Sequence, residues 1–311
     1  MKPGDFEFFS TFLKQRSGIV IGEEKQYLLE SRLTPVVRKA GLSEIADLVP
    51  ILRGGRDAAL ATRVVEAMTT NESFFFRDKT PFEHFRDVMV PHMLETRAAR
   101  RAFRVWCAAA STGQEPYSLA ITIKELASSL ANWRIEIVGT DLSSDVIEKA
   151  KAGIYSQFEV QRGLPIQTLL KYFEQKGEIW QIASMLRAMV QYRVFNLLDD
   201  YAALGKFDVI FCRNVLIYFD HATKKDILQR LSRCLTPDGF LVLGAAETVV
   251  GISDAYETVP ERRGLYRLKG AAAEPAIARP FASLRTGTDG RPAAAAPVAP
   301  RVVPFKPAVA G

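Results

Sequence analysis

Residues 103–120 read FRVWCAAASTGQEPYSLA, and residues 134–141 read RIEIVGTD. The first stretch opens as a short apolar run over 103–108. It breaks into a loop of small side chains around one glycine and continues into a helical stretch at about 115–130. The second is another apolar run, 134–140, ending on the carboxylate of Asp141. A helix fits 144–152. Later strands fit 191–195, 207–212 and 240–243, with a helix at about 223–234. Strands alternating with helices predict parallel pairing with helices on both faces. Buried parallel strands read as continuous apolar runs, as DVIF and FLVLG do here. The expected fold class is α/β, a doubly wound, mostly parallel sheet.

Upstream of this pattern, residues 1–85 read as a small helical domain. Phe6, Phe9, Phe12 and Leu13 recur at helical spacing, as do Tyr27, Leu28, Leu33, Val36 and Val37. Gly41 closes that second helix, and Ser43 with Glu44 can start the next. Residues 86–102 are expected to be a linker and 103–270 the sheet domain. The gap between Lys151 and Gln191 is too long for a simple crossover. Its aromatic residues, including Tyr155, Tyr172, Phe173 and Trp180, predict an ordered inserted subdomain over about 155–190. Residues 271–311 are rich in Ala, Pro and Arg and read as a disordered tail.

Composition narrows the function classes. In 311 residues, 48% are apolar, ample for a core, yet no run approaches the ~18 apolar residues of a membrane span. The first ten residues lack a signal pattern, and three cysteines in apolar surroundings (Cys107, Cys212, Cys234) fit a reducing compartment. A cytoplasmic protein without direct membrane insertion is expected. Three histidines and no cysteine pair at ligand spacing make a metal site improbable. The net charge of +6 permits an acidic partner without demanding nucleic acid. The nearest approach to a basic run is Arg97, Arg100, Arg101 and Arg104.

Ligands of a doubly wound sheet bind beyond the carboxyl ends of the strands. The small-residue loop at 108–115 would let a ligand approach the backbone, although one glycine also fits a plain tight turn. Asp141 can accept both hydroxyls of a ribose, or it can cap the helix starting near Ser144. Arg213 and Asn214 interrupt an apolar strand at its carboxyl end, and Tyr218 follows in the same loop. The segment TTNESFFFRD, 69–78, carries three consecutive aromatics that no single helix face can bury. It reads as packed between two domains, or as a helix end with an apolar linker.

Taken in order, TTNESFFFRD, WCAAASTGQEPYSLA, GTDLSSDVIEKAKAGIY, FNLL and FDVIFCRNVLIYFD resemble the CheR family of chemoreceptor methyltransferases, from about Phe6 to Leu268. That resemblance implies a class I S-adenosylmethionine methyltransferase fold with a small N-terminal all-α domain and an inserted small β subdomain. It implies transfer of a methyl group from S-adenosylmethionine to glutamate side chains in the cytoplasmic methylation region of chemoreceptors, with S-adenosylhomocysteine as product. By matching positions, Asn71, Ser73 and Arg77 reach over the cofactor, with Ser73 where many relatives have Thr. Glu115 lies near the methionine amino group, Asp141 at the ribose, Asn196 and Leu197 at the adenine, and Arg213 and Asn214 along the methionine. Arg77 and Tyr218 border the transferable methyl. A glutamate acceptor is ionised at neutral pH, its pKa being about 4.3. No general base is therefore required, and positioning is the main task, with Arg77 orienting the carboxylate and Tyr218 donating a hydrogen bond.

The family's substrate is a glutamate-rich helical bundle, and Lys25, Arg32 and Arg38 fall near one face of the second helix. They are expected to bind the receptor, on a protein acting as a monomer. The stretch YFEQKGEIW, 172–180, has a single glycine and is short for the loop that clasps a receptor tethering peptide in some relatives. Independence from such a tether is expected, with Trp180, Ile182 and Met185 facing the core. The rivals are a methyltransferase of the same fold acting on another protein or on RNA, a nicotinamide oxidoreductase, and an inactive binding module. They are weakened respectively by the missing aromatic-and-basic platform, the missing G-x-G-x-x-G loop and the intact polar set.

Overall fold

The structure is a computed structural model that describes residues 2–271. The stretch expected as a disordered tail lies, from 272 on, outside the described residues. Four helices come first: α1 (Pro3–Ser17), α2 (Gln26–Lys39), α3 (Leu48–Gly54) and α4 (Ala58–Ala67). They close on a hydrophobic cluster of their own, in which Phe9, Leu13, Leu29, Leu33, Leu48 and Val64 are fully buried. On α2 the buried stripe is Leu29, Leu33, Val36 and Val37. The sequence reading placed Tyr27 and Leu28 in it. Tyr27 is exposed and Leu28 only half-buried, because the stripe runs i, i+4, i+7, i+8 from Leu29. Gly41, at φ +71°, follows the end of α2 as expected.

The helical reading of 1–85 fails over 69–79, which holds only turns and irregular backbone. The expected linker at 86–102 is also corrected. Helix α5 (Thr80–His84) runs through a π turn, Phe85–Met89, into α6 (Val90–Thr96). Phe85, Met89, Val90 and Met93 are completely buried there, so tertiary burial holds a stretch that looked like a junction.

The sheet strands are β1 (Ala102–Ala108), β2 (Arg134–Asp141), β6 (Val190–Val194), β7 (Phe207–Cys212) and β8 (Leu235–Leu243), followed by the short β9 (Tyr256–Thr258) and β10 (Leu265–Leu268). Their order is β6-β2-β1-β7-β8-β10-β9. The first five are parallel, while β10 pairs antiparallel with β8 and β9. The antiparallel pair was not foreseen, since strands of three and four residues carry no periodic signal. Helices α7 (Gln114–Glu125), α8 (Ser144–Ala152) and α12 (His221–Cys234) connect the parallel strands; α7 ends short of the expected residue 130. The order reverses at β1, so the crevice beyond β1 and β7 is the switch point where such sheets bind ligands.

Between α8 and β6 sits the inserted piece: β3 (Ile154–Ser156), α9 (Gln157–Gln161), α10 (Ile166–Tyr172), β4 (Phe173–Lys176), β5 (Ile179–Ile182) and α11 (Ser184–Arg187). Its strands form a separate antiparallel sheet, β3-β5-β4. Trp180 and Ile182 face the core, whereas Met185, expected with them, is exposed.

Three of the four arginines at 97–104 pair with carboxylates of the sheet domain. Arg97 donates from Nε to Asp208 Oδ1 at 2.8 Å and forks onto both oxygens of Asp238. Arg100 donates to Asp208 at 2.6 Å, and Arg104 pairs with Glu136 at 2.9 Å. Asp208, 2% exposed, is the hub. Asp208→Ala leaves a largely buried guanidinium with Asp238 as its one remaining carboxylate and should cost about 3 kcal/mol, the low end for a broken buried pair, in urea unfolding at pH 7. Asp238 is more open to solvent, so Asp238→Asn should cost about 1 kcal/mol after screening. The Arg97 guanidinium, chiefly by hydrogen bonding, holds the Asp238 carboxyl down to about 2. That contribution is complete above the unfolded aspartate value of about 3.9 and is lost as pH falls through about 2. The gap between wild type and Asp238→Asn should accordingly narrow below pH ~4; a gap that widens in acid contradicts the assignment.

Candidate functional site

A cleft lies over the carboxyl ends of β1, β2, β6 and β7. Its floor begins with Asp141, the last residue of β2. Asp141 Oδ2 accepts the Ser111 amide at 2.8 Å and Oδ1 accepts the Ser143 amide at 3.0 Å. Each oxygen keeps acceptor capacity for a further donor. Burial pushes this carboxyl above the usual aspartate range, opposed by backbone hydrogen bonds from Ser143, Ser111 and Leu142. Asp141 thus organises the loop after β1 and the entry to α8 while lining the cleft; the cap position of α8 is Ser143, so the alternative reading of Asp141 as the helix cap does not hold.

The loop after β1 departs from expectation. Its glycine does not face the cleft. A Cβ on Gly113 would stand 2.7 Å from the Tyr192 hydroxyl and 3.0 Å from the Ala150 side chain, and its φ is +94°. Gly113 therefore allows α7 to pack closely on the sheet. The residues that meet the cleft are Ala109 and Ser111, held at φ +68° and +50°. Both lie in the left-handed region that side chains rarely adopt, and the Asp141 carboxylate helps hold Ser111 there.

Glu115, at the start of α7, is buried and accepts from Arg213 Nη1 at 2.7 Å. Arg213 Nη2 donates to Asp78 Oδ2 at 2.7 Å and to the Arg77 carbonyl at 2.9 Å. Burial raises the Glu115 carboxyl, while the Arg213 charge pulls it back. Arg213 Nε is buried with no partner, an unsatisfied donor in a residue that lines the cleft. Asn214, next in the chain, sits at φ +58°.

Segment 69–78 forms the roof, and its three aromatics go to three places. Phe75 is fully buried, edge-on to Tyr155 and Phe173 of the insert at 5.0 and 5.4 Å. Phe76 meets Phe82 at 5.3 Å. Phe74 carries the guanidiniums of Arg162 and Arg77 at 4.4 and 5.6 Å. Arg77 also donates to the Glu72 carbonyl at 2.9 Å. The roof is fixed to the floor by Ser111 Oγ donating to the Asn71 carbonyl and by the Phe76 amide donating to Ser118 Oγ. The segment, expected to pack between two domains, meets the sheet part through Ser111 and Ser118 and the insert through Tyr155 and Phe173.

All ten cleft residues expected from the sequence line this space: Asn71, Ser73, Arg77, Glu115, Asp141, Asn196, Leu197, Arg213, Asn214 and Tyr218. Lys25, Arg32 and Arg38 do not. Lys25 and Arg38 are exposed. Arg32 is half-buried, and its guanidinium donates to the carbonyls of Met68 and Thr69 and to Thr70 Oγ1 at 2.8–3.1 Å. It braces the roof instead.

The end of α1, missed in the sequence, supplies a wall through Ser17 and Ile19. The Val20 amide donates to the Tyr218 carbonyl at 3.0 Å, and Asn196 Nδ2 donates to the Arg16 carbonyl at 2.7 Å. The available signal was Gly18, at φ +77°, where a Cβ would stand 3.1 Å from Phe219.

Asp141→Ala removes acceptors from the floor and frees the Ser111 loop together. S-adenosylhomocysteine binding by calorimetry should weaken by at least one charge-assisted hydrogen bond, about 1.5–3 kcal/mol or roughly 10–150-fold. Unchanged affinity removes Asp141 from the site.

Comparison with known proteins agrees with this geometry. Residues 71–265 match the pattern described as "CheR methyltransferase, SAM binding domain", and residues 4–69 match "CheR methyltransferase, all-alpha domain". The chain is similar to chemotaxis protein methyltransferase Cher2 of Pseudomonas putida, 43% identical, with 82% of this chain and 94% of the relative covered. It is similar to chemotaxis protein methyltransferase 1 of Pseudomonas aeruginosa, 43% identical over 85% of this chain and 98% of that one. The corresponding protein of Vibrio parahaemolyticus is 40% identical over 85% and 97%. The match runs along nearly the whole length of these relatives, and the chain belongs to the CheR methyltransferase family.

Proposed function

We propose that the protein transfers the methyl group of S-adenosylmethionine to glutamate side chains in the cytoplasmic methylation region of chemoreceptors, forming methyl esters, and that it works in the cytoplasm. The observation that carries this reading is the meeting, in one cleft, of Arg77 from the roof and Tyr218 from the loop after β7 with Asp141 and the Glu115–Arg213 pair. No helix among the described residues is long and apolar enough to cross a membrane.

The donor set suits S-adenosylmethionine. Asp141 offers a carboxylate for ribose hydroxyls, Asn196 and Leu197 offer an amide and an apolar wall, and Glu115 with Arg213 offers both charges to an amino acid moiety. The unpaired Arg213 Nε is a donor in search of an acceptor. When bound, S-adenosylmethionine supplies an activated methyl group on a sulfonium. An acceptor glutamate brings its own negative charge at neutral pH, so neither a base nor a metal is called for. Arg77, steadied by the Glu72 carbonyl and the Phe74 ring, orients the acceptor carboxylate. Tyr218 donates to the same group and shapes its pocket. The helical part and the roof exclude water, which favours a step in which opposite charges disappear.

Receptor recognition is assigned to the exposed Lys25 and Arg38 at the two ends of α2. The basic stretch at 97–104 is largely spent on Asp208, Asp238 and Glu136, which favours an acidic protein partner over nucleic acid. In the insert, β4 and β5 are joined by only Gly177 and Glu178, which supports the reading that the clasping loop of tethered relatives is missing. Independence from a receptor tethering peptide follows as part of the proposal.

The main test is labelled methyl transfer to receptor cytoplasmic fragments, with the label released as methanol by mild base. Base-stable label, or none, rejects glutamate esterification. In single turnover at saturating donor, Arg77→Ala should lose rate by about 10²-fold or more while donor affinity changes little; the opposite pattern makes Arg77 a cofactor ligand alone.

Reversing Lys25 and Arg38 to Glu should cut receptor methylation, less so at high salt, and spare S-adenosylhomocysteine binding. Arg32→Ala should instead weaken S-adenosylhomocysteine by loosening the roof. Equal effects from the two variants contradict this division.

Titration with the C-terminal peptide of its own receptors should show no saturable binding, alongside normal methylation of a tail-less receptor. Micromolar binding abolished by changes at 174–182 contradicts tether independence.

A further inference from the structure

The loop after β7 leaves the sheet with Asn214 in the left-handed region and then makes a single tight turn, Leu216–Tyr218. Its backbone amides converge on one side chain from beyond β8. Glu247 Oε2 accepts the Asn214 and Gly244 amides, both at 2.8 Å. Glu247 Oε1 accepts the Val215 amide at 2.9 Å and the Leu216 amide at 2.8 Å, with the Ile217 amide at 3.4 Å. A run of backbone N–H groups aimed at one point is an anion nest, here filled by the protein's own carboxylate. Gly244 is fitted to it: a Cβ there would stand 2.7 Å from Glu247 Oε2 and 2.9 Å from the Asn214 nitrogen.

Glu247 does not line the cleft, whereas Asn214, Val215 and Tyr218 do. The Tyr218 amide donates to the Val215 carbonyl at 3.2 Å, so the turn that carries Tyr218 is built directly on residues whose amides Glu247 holds. We propose that Glu247 is a positioning residue for methyl transfer, setting the 213–218 loop so that the Tyr218 hydroxyl meets the acceptor. This rests on the assignment of Tyr218 to the acceptor side of the cleft.

Both oxygens of Glu247 act only as acceptors, which makes glutamine informative. In either orientation, Glu247→Gln turns an NH2 group toward backbone N–H donors, either those of Asn214 and Gly244 or those of Val215 and Leu216. The side-chain shape is kept and the nest is spoiled.

The test uses the full chain, receptor cytoplasmic fragments and S-adenosylhomocysteine, with four proteins: wild type, Glu247→Gln, Tyr218→Phe and the double variant. Single-turnover rate at saturating donor should fall about tenfold or more in Glu247→Gln, while S-adenosylhomocysteine affinity stays within about threefold. The double variant should be no slower than the slower single variant, within about twofold, because both changes remove the same interaction. A structural role unrelated to Tyr218 gives losses that multiply.

Should Glu247→Gln lose its cooperative unfolding transition, Gly244→Ala decides, since its Cβ presses on the same carboxylate and should give the same slow rate with near-normal affinity. A normal rate, multiplied losses or an equal loss of affinity overturns the proposal. Tyr218→Phe at wild-type rate beside a slow Glu247→Gln overturns the route through Tyr218. Wild type that binds S-adenosylhomocysteine but methylates no fragment removes the receptor reading, and this proposal with it; methylation by wild type and Glu247→Gln alike removes Glu247 alone.

Discussion

Arg213 is a cation with only 2% of its side chain exposed, and the site is arranged around the need to compensate it. A guanidinium taken out of water is costly unless opposite charge and hydrogen-bond acceptors surround it. The compensation comes from two directions, Glu115 at the start of α7 and Asp78 with the Arg77 carbonyl at the end of the roof. One side chain therefore joins the end of β7, the first turn of α7 and the segment that closes the cleft. Loss of either carboxylate leaves the buried charge only partly compensated, and loss of Asp78 also removes one of the ties between roof and floor. Glu115 sits under the same constraint, since burial favours its neutral form and Arg213 is what keeps the charged one competitive.

Around that anchor, the protein holds its working parts by main-chain contacts more than by side-chain pairs. Asp141 holds the amides of Ser111 and Ser143, and Glu247 holds those of the loop after β7. Carboxylates that gather backbone N–H groups stabilise left-handed conformations at Ser111 and Asn214 that non-glycine residues otherwise avoid.

The parallel sheet was legible because strands buried on both faces are nearly uninterrupted apolar runs. Polar residues that break such a run at its carboxyl end, as Asp141, Arg213 and Asn214 do, can then be placed by topology alone. The positions of Asn71, Ser73 and Arg77 came from family resemblance, since turns and irregular backbone give no periodicity. The helical stretch over 86–96 escaped because its burial is decided by the sheet it covers, not by an amphipathic pattern of its own. Arg32 looked like a surface charge, and only three-dimensional proximity reveals the carbonyls of Met68 and Thr69 beneath it. Of the two readings open for Gly113, the plain tight turn is the one it serves, as its missing side chain makes room for Tyr192 and not for a ligand.

The wall contributed by the end of α1 has a thermodynamic consequence. Ser17 and Ile19 belong to the part of the chain built on the helical core, while Asp141, Asn196 and Arg213 belong to the sheet. A molecule seated between them touches two hydrophobic cores at once. Its binding free energy is then added to their mutual adhesion, which without it rests on a few contacts such as Val20 with Tyr218 and Lys14 with Asp220. Occupancy of the cleft acts as mortar between the two cores, and the cohesion of the whole becomes a function of ligand concentration.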